Sequence, residues 1–371
     1  MSLPPQSSMK VRSLVRFIQI TDSPIKIKIM NRFSFSRLFA IMIMIMAVIS
    51  CTDISLGIPS VNDGRTENKG DNSQDEPEEL SYVRKTIKLK GSVAVSSKFV
   101  GYATSSASVY VVMPYPESNE YQNITSKTLE GNLSETVAGT KIIYKSEKYS
   151  RGTNVDIACE YVVDYVTYSI VVDFNRIKEI YPYDTESDIY KNYLGSTGEY
   201  IVPTNPEIVS IASSLWKDSK NILDYARRCY EFTAANYRYL NPYTGLHTLE
   251  ENLKNGGGDC GNLSAIYMSL LRNKEIPARP VVCIKPDGSF HVWSEFYLEG
   301  YGWIPVDVTY KNSNRGGNYF GVYLGDCIVV SNEYDVLLKD GSENFYLPIL
   351  QTYAYWYWNM SGVKFTYNIR G

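Results

Sequence analysis

The chain holds only two histidines among 371 residues, His247 and His291, and six cysteines. One of those cysteines, Cys260, sits in the run GGGDCGN at 256–262. Three glycines give a loop free to take unusual backbone angles, and Asp259 suits the N-cap of a following helix. Cys260 then falls on the first helical turn, where unpaired N–H groups and the helix dipole favour a thiolate. His291 lies mid-strand in FHVWSEFYL, and Asp307 closes GWIPVD. A thiol becomes a strong nucleophile when an imidazole takes its proton and a carboxylate on the other ring nitrogen fixes the tautomer. In that order the chain supplies a nucleophile, a base and an orienting acid. Cys, His and Asp occur in most proteins, so residue types alone do not establish a site.

The elements between these residues must bring them together. His291 and Asp307 flank LEGYGW, a turn between two strand-like runs. A loop centred on Glu299 puts the two residues directly opposite each other. A three-residue loop over 299–301 makes them diagonal neighbours on one face. A two-residue loop spoils the meeting unless a bulge restores it. Helices are predicted from Asn205-Pro206, a cap followed by a first-turn proline, then over 219–236, then from Cys260 to before Pro277. The second helix carries Cys229 on its apolar face. The third has the stripe Leu263, Ile266, Tyr267, Leu270 and Leu271. Strands are expected over 280–284, 290–298, 302–308, 327–330 and 363–369. Helices followed by an antiparallel sheet make an α+β domain.

Upstream, 84–90, 108–113, 141–144 and 155–174 alternate and are rich in Tyr, Val, Ile and Thr. They read as an antiparallel β domain, in the manner of a sandwich, without a chemical motif. The 32 tyrosines of the chain fit a β-rich, solvent-facing protein. Aromatic strand residues can bind sugar or peptide, but they serve more often in cross-strand packing.

The net charge of −3 hides three different materials. Residues 1–50 carry +6, residues 52–80 carry −6, and the rest carries −3. A slightly acidic body gives no general attraction for phosphate backbones, which argues against nucleic-acid partners. Residues 38–50, LFAIMIMIMAVIS, are uncharged and follow Arg32 and Arg37. Thirteen residues are too few to span a bilayer, which takes ~20, but suit the apolar core of a secretory signal. The run ends in Val48-Ile49-Ser50-Cys51, which resembles a bacterial lipobox with Cys51 as the lipidated residue. Residues 1–29 are long for a signal's leading region, and Met30 makes a compact alternative start. The acidic run that follows cannot bury enough apolar surface to order itself and reads as a tether. Export permits disulfides, though Cys159, Cys229, Cys260, Cys283 and Cys327 are an odd number.

The stretch from about Tyr200 to Tyr310 resembles the transglutaminase-like superfamily, a branch of the papain-like fold. Four ordered motifs carry the resemblance: GGGDCGN, RNKEIPAR from Arg272 to Arg279, HVWSE from His291 to Glu295, and GWIPVD from Gly302 to Asp307. It implies helices packed on an antiparallel sheet, with Cys260 as nucleophile, His291 as base and Asp307 as orienting acid. Two positions depart from the family pattern: Glu275 stands where glycine is usual, and Val308 where proline is common. The implied organisation is a signal over 1–50, lipidated Cys51 with an acidic tether over 51–82, a β-rich domain over 83–200 and a transglutaminase-like catalytic domain over 201–371.

Other roles are weighed against plain packing. Trp293 shares a face with His291 and either walls the site or is simply core. Trp303 reads as core, and Arg279 as half of a structural ion pair. The Cys260 N–H is the natural oxyanion donor, with Asn255 or Tyr243 as guesses for the second. No cofactor is expected, and a metal site from Cys260 and the two histidines lacks ligand spacing. The expected function is attack on an amide through a thioester, on a peptide or protein substrate, by a lipid-anchored envelope enzyme. Hydrolysis is preferred, because an exported lipoprotein meets peptides and envelope polymers. Crosslinking acyl transfer to amines is the alternative, and a non-catalytic binding lipoprotein is the reading from a different class. Oligomeric state is not readable.

Overall fold

A computed structural model describes residues 82–135, 141–240, 245–312, 317–340 and 343–371. The expected signal, Cys51 and the acidic run of the tether lie outside them, as does Tyr243. The first sheet begins with β1 (Val83–Pro114), β2 (Gln122–Gly131), β3 (Ser134–Glu135), β4 (Lys141–Tyr149) and β5 (Asn154–Val172). Then come α1 (Asp188–Asn192), α2 (Pro206–Lys217), α3 (Ile222–Asn236), β6 (Arg238–Tyr239), α4 (Leu249–Asn255), β7 (Gly257–Gly258) and α5 (Cys260–Asn273). The second sheet uses β8 (Ala278–Ile284), β9 (Phe290–Leu298) and β10 (Gly302–Val306), followed by α6 (Val308–Asn312). The chain closes with β11 (Val322–Tyr323), β12 (Ile328–Ser331), β13 (Tyr334–Asp340), β14 (Glu343–Ile349) and β15 (Ala354–Arg370).

The alternation seen in the sequence becomes a buried face. Val93, Val95 and Phe99 of β1 point the same way as Val155, Ile157, Tyr161 and Val163 of β5, and all are buried. Each such side chain stabilises the fold by roughly 1.5–3 kcal/mol over exposure. The runs at 84–90 and 108–113 are not separate strands. They are the two ends of β1, which is 32 residues long and changes neighbours along its length. It pairs with β5 over 83–102, with β15 over 94–112 and with β4 over 107–114. Seven strands thus join in one antiparallel hydrogen-bonded sheet rather than the two of a sandwich.

The C-terminal strand β15 belongs to this first sheet through β1, and β11 joins it through β5. Residues on both sides of position 200 therefore share a sheet, and one hydrophobic core runs through both regions. The second sheet has the order β10-β9-β8-β12, all antiparallel, and α5 packs on β8 and β9. Helix α5 is buried from Gly261 to Arg272, so it is a central helix with no solvent-exposed face over that stretch. Its Arg272 reaches Ala278 O at 2.9 and 2.6 Å, Gly195 O at 2.6 Å and Thr197 Oγ1 at 2.8 Å. Burial lowers this guanidinium to about 10, and its hydrogen bonds satisfy it where water cannot.

The two sheets meet through polar side chains as well. Buried Gln122 donates from Nε2 to Val329 O at 2.8 Å and accepts the Val329 N–H at 2.7 Å, acting as a strand segment beside β12. Next to it, Tyr121 donates to Glu295, which also takes the guanidinium of Arg279. Arg279 bridges on to Glu120 at 2.8 Å and lies 4.1 Å over the Trp303 ring. Arg279 is thus the structural ion pair the sequence suggested, while Trp303 is half-buried and covers that pair instead of filling the core. Among the described residues no helix is long and apolar enough to cross a membrane.

Candidate active site

Cys260 is the first residue of α5 and is half-buried. The glycines before it let two segments touch. β7 pairs in parallel with β6, Tyr239 opposite Gly258. Gly257 has φ 143°, and a Cβ there would sit 2.0 Å from Arg238 O. A Cβ on Gly258 would sit 2.3 Å from Asn262 Cβ. Only glycine fits either place. Asp259 caps α5, accepting Asn262 N–H at 3.2 Å and Asn262 Nδ2 at 2.7 Å. Burial raises this carboxyl, against its hydrogen bonds from Asn262 and Gly261. Asn262 in turn holds the approaching loop, accepting His247 N–H at 2.9 Å and donating to Gly245 O at 3.0 Å. The thiol is thereby fixed at a helix N-terminus whose first N–H groups lack intrahelical partners.

The hairpin resolves to the three-residue loop. Gly302 pairs with Leu298 and Val306 with Ser294, so His291 and Asp307 are diagonal neighbours. Their side chains meet, His291 Nε2 to Asp307 Oδ2 at 2.6 Å, both nearly buried. The expected strand over 302–308 ends early, at Val306. The reason is Asp307 itself: its Oδ1 accepts the Tyr310 N–H at 2.9 Å and starts α6.

With Nε2 taken by the carboxylate, the other ring nitrogen is left for the thiol, and Cys260 lies near enough to help raise the imidazole. Burial alone would push the imidazole down. The Asp307 charge, the hydrogen bond to it and the nearby Cys260 outweigh that, and the net direction is well up. Tyr310 stacks on the imidazole at 4.6 Å and 9°. Trp293 is buried, 6.2 Å from the His291 ring and 4.8 Å from that of Tyr323. It walls the pair from behind, and its indole N–H has no acceptor among the described residues.

Asn255 is an exposed residue at the end of α4. The residue that sequence reasoning passed over is Tyr239. It is 41% exposed, and burial, with the nearby Cys260 and Asp259, raises its phenol. Its backbone is held from both sides, by β7 ahead of Cys260 and by Asn312 Oδ1 of α6 at 2.9 Å. The alternating run YRYL after the second helix is the one sequence signal for this short strand, and nothing in the sequence marks its partner.

Residues 209–308 match the family model of the transglutaminase-like superfamily. No curated protein matches the chain. Among solved structures, a candidate cysteine protease from Cytophaga hutchinsonii aligns at TM-score 0.51 and 16% identity, over 76% of this chain and 93% of that one. The likeness at that identity is one of fold. The periplasmic domain of TgpA from Pseudomonas aeruginosa aligns at 0.34 and 13% identity, over 63% and 74% of the two chains. Red sea bream transglutaminase aligns at 0.26 and 14% identity, over 57% and 46%.

Proposed function

We propose that this chain, which carries a transglutaminase-like superfamily domain over residues 209–308, is an exported cysteine peptidase or amidase with Cys260 as nucleophile. The observation that carries the reading is the 2.6 Å contact of His291 Nε2 with Asp307 Oδ2, which leaves the opposite ring nitrogen to the thiol. His291 takes the thiol proton, and Asp307 stabilises the imidazolium that forms. The thiolate adds to the amide carbonyl, and the Cys260 N–H receives the developing oxyanion. His291 returns the proton to the leaving amine, which departs and leaves a thioester. A water, deprotonated by the same imidazole, then releases the acid. Trp293 and Tyr310 hold the ring in plane while this happens, and Asp259 holds the helix start.

Hydrolysis rather than acyl transfer is preferred because an exported lipoprotein meets peptides and envelope polymers. Cys51 is assigned to a lipid anchor on the bacterial envelope, with the acidic segment as spacer. The test is incubation with a glutamine peptide and a labelled amine, with Cys260→Ala as control. Amide hydrolysis without label supports the reading. Amine incorporation without hydrolysis makes the protein a crosslinking acyltransferase. A Cys260 thiol no more reactive than a free thiol, with no change on Cys260→Ala, leaves a binding protein.

A further inference from the structure

An ion pair beside the His291–Asp307 pair has no part in the proposed reaction. Lys285 follows the last residue of β8, and Asp326 stands two residues before β12. Ile284 pairs with Ile328, so both residues extend from neighbouring strand ends. Lys285 Nζ donates to Asp326 Oδ2 at 2.8 Å and to the Tyr310 hydroxyl at 2.9 Å. The hydroxyl donates to the same Asp326 oxygen at 3.5 Å, which closes a triangle. Asp326 lines a small cavity together with His291, Asp307 and Tyr310. The Lys285 backbone is fixed as well: its N–H donates to Ser289 O at 2.8 Å, and its carbonyl accepts the Gly288 N–H at 2.9 Å.

Tyr310 carries this triangle to the imidazole. Its ring lies parallel to that of His291, 4.6 Å away and at 9°. The hydrogen bond at Nε2 holds the far end of the imidazole, close to the Cβ–Cγ axis. Rotation about that axis is soft, and it swings Nδ1, the nitrogen that must face Cys260. A flat ring against the imidazole face resists the swing. Tyr310 cannot do this from its backbone alone, because α6 is five residues long, little more than one turn. Asp307 Oδ1 holds its N–H, the Tyr319 ring meets it edge-on at 5.3 Å, and Lys285 holds its far end.

The charges suit the same role. A lone ammonium so near would disfavour the imidazolium that the reaction forms, and Asp326 cancels it. Burial alone would lower the Lys285 ammonium, but its bonds to Asp326 and Tyr310 raise it, so the ion pair persists at neutral pH. We propose that Lys285 and Asp326 are positioning residues for His291, acting through the Tyr310 hydroxyl. They hold the Tyr310 ring flat on the imidazole and so keep Nδ1 turned to the thiol. The inference rests on the reading of His291 as the base.

The test compares the full chain with Lys285→Met, Asp326→Ala, Tyr310→Phe and the double variant Lys285→Met/Tyr310→Phe. Two readouts are taken, amidase kinetics and the imidazole proton NMR signals. The chain has only two histidines, so His247→Gln assigns both sets of signals. Each single variant is expected to lower kcat about 10- to 100-fold with KM unchanged, as for a misplaced catalytic group. The double variant is expected to fall no further than either single one, because both break one linkage. The His291 ring protons, shielded by the Tyr310 ring in wild type, are expected to shift towards unstacked positions or broaden in each variant. Losses that multiply in the double variant, or a wild-type His291 signal in Lys285→Met and Asp326→Ala, overturn the proposal. A wild type without amidase activity sinks the proposed function, and the His291 signal still decides the clamp.

Discussion

The two carboxylate oxygens of Asp307 serve different elements: Oδ2 lies 2.6 Å from His291 Nε2, while Oδ1 accepts the Tyr310 N–H at 2.9 Å. Tyr310 then stacks on the ring that Oδ2 orients. One side chain ends a strand, caps a short helix and aligns an imidazole from both its edge and its face.

Removing the charge while keeping the shape separates these roles. Asp307→Asn keeps an acceptor for Tyr310 but loses the imidazolium's counter-charge. Its amidase rate is expected to fall about 100- to 10,000-fold, with far-UV circular dichroism unchanged. Cys260→Ala is expected to have no activity. Equal rates of Cys260 alkylation in wild type, His291→Ala and Asp307→Asn would show that the three groups do not act together.

Stability should follow the His291 proton. Its folded pKa is raised well above the ordinary value near 6.5, so the imidazolium–carboxylate pair stabilises the fold fully below pH ~6.5. That contribution is lost as pH rises through the raised folded value. Urea unfolding at several pH values should show the gap between wild type and Asp307→Asn widest below 6.5 and closing in alkali. A gap that grows with pH contradicts the assignment.

Gly258→Ala would drive a Cβ to 2.3 Å from Asn262 Cβ. The start of α5 must shift, and with it Cys260. The cost expected is about 1–3 kcal/mol, as for overpacking, together with at least a tenfold loss of thiol reactivity. Intact reactivity would mean that the loop does not set the thiol's position.

Glu275 has φ 57°, the left-handed region, at the position where the resembled family usually has glycine. The side chain there is strained by about 1–2 kcal/mol, partly offset by the entropy glycine loses on folding. Its weak 3.4 Å bond from Tyr190 is exposed. Glu275→Gly is therefore expected to stabilise by about 0.5–1 kcal/mol in urea unfolding, with unchanged activity. A destabilised variant would assign that bond a larger role.

Arg279→Ala would strand a fully buried carboxylate. Burial already pushes Glu295 up to about 7 against the pull of Arg279. Losing the guanidinium raises that carboxyl further, and the cost is expected to reach about 3–5 kcal/mol once it is forced to ionise. Below pH 7 Glu295 is protonated in both proteins, so the deficit should be smallest there and grow as pH rises above 7. A deficit independent of pH would point to the lost packing of Arg279 on Trp303 instead.

The sequence by itself determined the local features. Gly-rich 256–258 followed by Asp259 places Cys260 on the first turn of a helix, because caps and left-handed turns are settled within four or five residues. The turn after Leu298 limited His291 and Asp307 to a few registers, two of them close. The apolar stripe of α5 and the alternation of β1 and β5 are likewise short-range patterns. Tertiary structure decided what depends on distant partners. It chose the diagonal register. It returned β15 to β1, since an alternating strand does not state which sheet edge it will join. It set Tyr239 beside Cys260 and Glu120 against Arg279. Each of these contacts joins segments tens to hundreds of residues apart. Such contacts form only where two buried faces dock, and no periodicity within either segment encodes that docking.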